Sequence, residues 1–461
     1  MPLTAVAFWM VYVAGVFGAL FFPLSGVLLY LLVYHLNPEQ QWWGESVRAS
    51  GVRTSMTIAV ATLIGLIGRR PQFVARAKQL LFPMPVVIVF VLLVAASLSW
   101  GHGYNERGAY QVEKLIKILI FLMILIRCVR TPRHYQLVIW SWVVGVIYIC
   151  YQAWGNVGVH ADGRLAWGLG GADFADSGDL AEHLIATLPM IGALLFMSRS
   201  IWSRGLLLCA GALTINTIIM TRTRSALLGL IAMTLTAVVS LPRGYRMRGL
   251  AGIAVGALLA AQLTDPGWWR RMETISTQPH DASAIGRLAY WRAAVHMASD
   301  NPFGIGIGNF QTAVREYIPS LDRTRSAHNT YLECLAETGY LGLLMLMVII
   351  AAMLARVSRI CRDAGRGGPN IDKNPAEREI RFHLGWHAMA LRAGLVGYLV
   401  CAVFQSRVGG EDFWILLALC VCLSNVSEHM RAPLDSTIED DEISSLPSLA
   451  LAGANQCESP S

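Results

Sequence analysis

The chain of 461 residues carries 55% hydrophobic and only 15% charged side chains, with a mean hydropathy of +0.49. Soluble domains are about one quarter charged, so an ordinary soluble enzyme, a disordered chain and a nucleic-acid binder are excluded. The formal net charge of +7 has a local cause, because Lys and Arg gather in alternate loops between apolar blocks. Those blocks, roughly 17–22 residues long, have the length of a bilayer-crossing helix. The chain reads as an all-α polytopic membrane protein.

In chain order the blocks predict spans near 5–36, 51–68, 83–100, 113–127, 136–154, 181–198, 202–219, 223–241, 248–264, 337–355, 389–405 and 412–427. The first is too long for one straight helix, and Phe22-Pro23 splits it into a kinked span or two short helices. Counted once, it gives about twelve spans. No signal-peptide cleavage pattern appears, and the first block reads as a retained anchor.

Basic residues then sort the loops. Arg69, Arg70, Arg76 and Lys78 fill one; Arg127, Arg130 and Arg133 fill another; Arg199, Arg204, Arg243, Arg246, Arg248 and Arg356 to Arg381 fill later alternate ones. The positive-inside rule makes these cytoplasmic. Both ends of the chain then share the inner side, and the acidic tail from Asp435 to Glu442 reads as disordered. Segments 37–50, 101–112, 156–180, 220–223, 265–336 and 406–411 face outward. Domain organisation follows: 1–264 as helices with short loops, 265–336 as a large outer loop, 337–430 as C-terminal helices, and 431–461 as the tail.

The outer loop is the longest non-spanning stretch. Ser283 is placed to cap a helix in which Ile285, Leu288, Trp291 and Val295 recur at helical spacing. A second amphipathic run has Phe310, Val314 and Ile318. Both are expected to lie along the membrane surface. Among the nine cysteines no CxxC pair occurs, so neither a disulfide framework nor a cysteine zinc site is expected.

Candidate chemistry concentrates in outer segments. His328 follows Arg323 and Arg325 and precedes a span. A lone histidine is more often structural than catalytic, yet it titrates nearest neutral pH and suits removal of a hydroxyl proton. Arg222 and Arg224 lie between two spans with almost no loop, where charge is costly and faces a cavity, a ligand or the lipid headgroups. Arg287 sits on the loop helix, where the plainer reading is a solvated face; Arg164 precedes a Gly-rich stretch that is either a closing flap or loose chain. Gly304-Ile305-Gly306-Ile307-Gly308 lacks the GxGxxG spacing, so it is no nucleotide site. No HExxH, GxSxG or clustered metal-ligand set occurs. Glu411-Asp412 and Glu333/Glu337 are candidate acidic pairs, though the former looks like a helix start, and Cys334 reads as packing. Taken alone, these residues describe an outward anionic site with Arg groups, one candidate base and an apolar wall, which fits a polyprenyl diphosphate.

His328-Asn329, followed by Leu332 and Gly339, matches the pattern H-[NSR]-x2-L-x6-G, and here the sequence resembles the bacterial O-antigen ligases. Thr223-Arg224-Ser225, Gly286-Arg287 with Trp291, and Asn301 to Phe310 agree in order, and about 181 to 355 looks like the shared ligase/polymerase core. Tyr34 to Pro38 and Trp42-Trp43-Gly44 are similar to ligase-like relatives of exopolysaccharide systems, while Asp176 to Asp179 departs from the Pro-Asn pattern relatives show there. The resemblance implies a GT-C type glycosyltransferase of the bacterial inner membrane with a periplasmic active site. It would move an assembled glycan from undecaprenyl diphosphate to lipid A–core. It further implies His328 as base, Arg224 and Arg287 with Arg222 and Arg164 as diphosphate ligands, Asn329 in support, and no metal or other cofactor. The expected partners are that donor, the lipid A–core acceptor and membrane lipids, with no nucleic acid. A polymerase or protein O-oligosaccharyltransferase of the same superfamily shares these needs. A transporter would show paired broken helices and inverted repeats, and the sequence shows neither.

Overall fold

A computed structural model describes residues 1–68, 82–155, 157–160, 163–165, 169, 171–174, 176–241, 243–264, 267–269, 282–319, 324–366 and 375–429. The helices are α1 Leu3–Phe21, α2 Pro23–Leu36, α3 Glu45–Ser50, α4 Thr54–Gly68, α5 Met84–Ala96, α6 Glu106–Cys128, α7 Pro132–Trp154 and α8 Ser177–Met197. They continue as α9 Ile201–Thr221, α10 Arg224–Ser240, α11 Arg243–Leu263, α12 Ala282–Asp300, α13 Phe310–Tyr317, α14 Thr330–Arg366, α15 Pro375–Cys401 and α16 Glu411–His429. No strand forms among the described residues, where one isolated bridge joins Val159 and Leu165. Among those residues α1, α7, α8, α9, α14 and α15 are long and apolar enough to cross a membrane. Helices α4, α5 and α10 are apolar but shorter. The chain is an all-α polytopic membrane protein, and a helix occupies every apolar block.

The first block is a hairpin. Proline at 23 starts a new helix, and α2 runs back along α1: Cβ atoms built on Gly15 and Gly26 would lie 2.7 Å from Leu29 and 2.8 Å from Ala19. Small residues let the two backbones approach closely. Trp9 donates to Ser46 Oγ at 3.3 Å and Tyr12 to Thr54 O at 3.1 Å, so α1 begins beside the 37–53 loop. The block is thus two short helices, the second of the alternatives the sequence leaves open. Helix α1 starts at the end where α16 begins, and α16 finishes at the other.

Helices α6, α8, α10 and α14 all start at that same end, and their polar starts are held there. Asn105 caps α6 by accepting from Gly108 N at 2.6 Å, and Asp176 caps α8 by accepting from Gly178 N at 2.6 Å. The basic loops share the far end, where Arg199 reaches Glu379 at 2.9 Å and Arg356 donates to Phe82 O. Arg69, Arg70, Arg76, Lys78, Arg323 and the acidic tail lie outside the described residues.

Over the site end lie α12 and α13. The side chains of Ser283 and Ile285 lie outside the described residues. Leu288 and Val295 are 51% and 46% exposed, whereas Tyr290, Ala293, Ala294 and Met297 pack inward with Phe310 and Val314. The reason is size: the alanines let α12 approach α13 and α14 closely, which bulkier residues would prevent. The short helix α13 buries Phe310 and Val314 as its pattern predicts, with Ile318 packed against them.

The glycine run 304–308 is a clasp. Ile305 N and Gly306 N donate to Ala336 O and Glu337 O at 2.9 and 3.0 Å, and Ile307 N donates to Ser97 Oγ at 3.2 Å. Asn105 and Asn309 close the other side, through Ile307 O and Gly103 O at 2.9 and 3.0 Å. The clasp grips α14 where Gly339, at φ 72 and ψ −171, breaks it. A Cβ there would sit 2.2 Å from Pro302 O, and this backbone region is almost confined to glycine. Gly339→Ala is therefore expected to cost on the order of 1–3 kcal/mol and to lower the thermal unfolding temperature in detergent. Gly192→Ala in α8, with nothing within 4 Å of its Cβ, should leave that temperature unchanged or slightly raised.

Candidate active site

His328 occupies the turn just before α14. Its φ of 46 is left-handed, an uncommon conformation for a non-glycine residue. Asn329 begins the next helix, accepting from Tyr331 N and Leu332 N at 3.1 and 3.0 Å on its Oδ1. Asn329 thus caps that helix. Trp291 on α12 donates its indole N–H to Ala327 O at 3.1 Å, which ties the turn to the loop helix. Arg287 lies one turn earlier on α12 and acts electrostatically on His328.

Charge and burial set the state of His328. Its pKa lies below the ordinary 6.5, first through burial and then through Arg287 and Arg325, while Asp176 pulls it upward. A histidine in this setting stays neutral at neutral pH, as a base must. Asp176 carries the argument across to α8, because its neighbour Ser177 accepts from Arg164 Nη2 at 3.3 Å.

The other arginines gather at the break between α9 and α10. A helix end leaves carbonyls without intrahelical donors, and here Leu165 N donates to Met220 O at 2.9 Å and Arg164 Nε to Thr221 O at 3.4 Å. Arg164 is therefore part of a built junction and not on loose chain. Arg222 ends α9 in the left-handed region with φ 48 and is 8% exposed, so it does not snorkel to the surface. A Cβ on Gly163 would lie 3.1 Å from its Nη2. Arg224 is half-buried at the start of α10. Ser225 O accepts from Cys401 Sγ at 3.4 Å, setting α10 against the 401–405 turn, whose Phe404 ring is 6.2 Å from Trp291. All four arginines thus stand at the end of the bundle that holds His328, with Arg287 nearest to it electrostatically. Among the described residues no three His, Cys, Asp or Glu side chains converge as ion ligands.

Sequence reasoning missed a buried charge cluster directly beneath. Arg407, 4% exposed, donates to Asp412 Oδ1 at 2.5 Å and to Asp173 O, and lies 3.7 Å from Asp179 and 4.0 Å from Glu182. Burial alone would weaken its charge; Asp412, then Tyr398 and Asp179, hold its pKa well above the ordinary value. His183 Nδ1 stands 3.5 Å from Asp412 Oδ2, and its Nε2 meets His35 Nε2 at 3.1 Å. Asp173 pairs with Lys114 and accepts from Tyr34 at 3.2 Å, and Tyr30 donates to Glu411 at 2.6 Å. Glu411-Asp412 does start a helix, as its position suggests, but both carboxylates are committed inward. A usable signal was present: Glu182 and His183 sit inside an apolar block, where an ionisable group needs a partner.

A family model described as O-antigen ligase matches residues 209–347. That match, over less than half of the chain, supports membership of the O-antigen ligase/polymerase superfamily. The matched segment contains Arg222, Arg224, Arg287, His328 and Asn329, while Arg164 and Arg407 lie outside it. No curated protein matches the chain.

The charges around His328 set a pH test for the candidate site. The acid limb of its activity should fall below pH 6.5. Arg287→Gln removes a cation that disfavours protonation and should move the limb upward; Asp176→Asn, which still caps α8, should move it downward. Profiles of kcat/KM check both directions, and identical profiles for the three proteins would contradict the arrangement.

Proposed function

We propose that this superfamily member is an O-antigen ligase, transferring an assembled glycan from undecaprenyl diphosphate to a hydroxyl of lipid A–core at the periplasmic face of the inner membrane. On this reading the chain adopts a GT-C type architecture of about twelve spans, with the basic end cytoplasmic by the positive-inside rule. The observation that carries the reading is the position of His328. It is a half-buried histidine in a left-handed turn, with Arg287 and Asp176 acting on it. Arg164, Arg222 and Arg224 stand at the same end of an apolar bundle.

The acceptor hydroxyl attacks the anomeric carbon of the donor sugar, forming the new glycosidic C–O bond. The bond from that carbon to the diphosphate oxygen breaks, the proton passes to a His328 ring nitrogen, and undecaprenyl diphosphate leaves. Guanidinium groups offset the charge that develops on the leaving oxygen, and their planar fork suits two phosphate oxygens at once. The proposal needs no metal, so activity should persist in EDTA.

The test is reconstitution of wild type and His328→Ala with undecaprenyl-diphosphate glycan and lipid A–core, read by gel mobility of the lipid A–core. Wild type should give a shifted ladder, and a folded His328→Ala should lose roughly 10²–10⁴ in rate, the usual worth of a general base. Arg224→Lys should lose most activity if its contact is bidentate. Lengthening of the lipid-linked glycan without a shift would make the protein a polymerase, and no change in either pool would point to a protein acceptor.

A further inference from the structure

The first turn of α14, which follows His328, is tied to one short segment, 405–407, between α15 and α16. Three consecutive residues reach it. Gln405 O accepts from Thr330 Oγ1 at 2.8 Å; Ser406 Oγ donates to Glu333 Oε2; Arg407 N donates to Thr330 Oγ1 at 3.0 Å. Glu333 Oε2 also accepts from Ala327 N at 3.0 Å. The segment therefore reaches the residue two after His328 directly, and the residue before it through Glu333. The histidine itself is held at φ 46, a conformation that persists in a non-glycine residue when its surroundings over-determine it.

The far side of the segment is locked into the buried charge cluster. Arg407 is anchored to Asp412 at the start of α16 and to Asp173 O. Gln405 packs on the start of α8, where a Cβ on Gly178 would lie 1.8 Å from its Nε2. That is the helix whose cap, Asp176, acts on His328 from the other direction. Three helix starts, α8, α14 and α16, are thus joined through three residues that carry no candidate catalytic group themselves.

We propose that 405–407, fixed by the Arg407–Asp412 pair, is the positioning element for His328, with Thr330 and Glu333 as the residues through which it acts. The proposal rests on His328 being the base. It assigns a function to the buried cluster, which lies outside the matched family segment: a rigid mount for a turn that would otherwise relax. A displacement of about 1 Å at a reacting group can cost roughly a hundredfold in rate, so a mount of this kind acts on turnover more than on donor binding.

Removing Arg407 would leave carboxylates buried without a counter-charge and would threaten folding, so lighter variants serve better. Thr330→Val keeps shape and volume but loses both hydrogen bonds to 405–407. Thr330→Ser keeps the hydroxyl. In the reconstituted transfer assay, Thr330→Val should lower kcat by roughly tenfold to a hundredfold while leaving KM for the lipid-linked donor within about twofold. Its unfolding temperature should stay close to wild type, Thr330→Ser should recover most of kcat, and Ser406→Ala should show a smaller loss of the same kind. Wild-type kcat in Thr330→Val beside an inactive His328→Ala would overturn the mount alone. Full activity in both variants would overturn the base reading, and the mount with it. A loss in Thr330→Val that follows loss of folded protein, with no recovery in Thr330→Ser, would reduce the threonine to packing.

Discussion

A guanidinium taken out of water inside an apolar bundle persists only when carboxylates surround it, and Arg407 meets that condition with Asp412, Asp179 and Glu182 within 4.0 Å. The cost of burying so many ionisable groups is large, and uncharged packing would serve stability as well or better. What such a cluster supplies is geometry, because an ion pair with directional hydrogen bonds has one good arrangement where packed leucines have many. Helices α8 and α16, distant in sequence, are brought to one level at the site end by this single side chain. The loop that carries Arg407 inherits that definition and passes it to the first turn of α14.

From that mount the rest of the site follows by short connections. The Gly-rich clasp seats the kink of α14 at Gly339, and Trp291 joins α12 to the residue before His328. Capping does the remaining work: Asn329 starts α14, Asp176 starts α8, and Arg164 with Leu165 closes the end of α9. Each of these groups satisfies a backbone that lipid could not. The same demand that every polar backbone atom find a partner therefore concentrates polar side chains at one end of the bundle. A phosphate-bearing lipid would meet them where its tail can remain in the apolar phase.

Much of this was legible in the sequence, and the unread part has physical causes. Apolar length located a helix in every block, and alternating Arg-rich loops sorted the two ends, because both signals are local sums over many residues. The fold-back at Pro23 was open in the sequence: proline shows that a helix stops, not which way the chain then turns. Helical spacing marked Leu288 and Val295 as an apolar stripe of α12, and they stay exposed, whereas the small alanines that pack inward are weak in any hydrophobic pattern. His328, Arg224 and Arg287 were visible as a short ordered motif. The mount was not, since Thr330, Ser406 and Arg407 are joined only in three dimensions, and Glu411-Asp412 has the look of any helix start. The ionisable pair Glu182-His183 inside an apolar block was the one clue to a buried partner.

On the proposed function, His328 and the arginines at the site end form one diphosphate-binding catalytic site. A structure determined with undecaprenyl diphosphate bound in a lipid nanodisc tests it most directly. The diphosphate should lie against guanidinium groups among Arg164, Arg222, Arg224 and Arg287, with the His328 ring facing the oxygen that carried the glycan. A diphosphate bound at the basic end of the bundle, or one at the site end with His328 turned away behind Trp291, would contradict it.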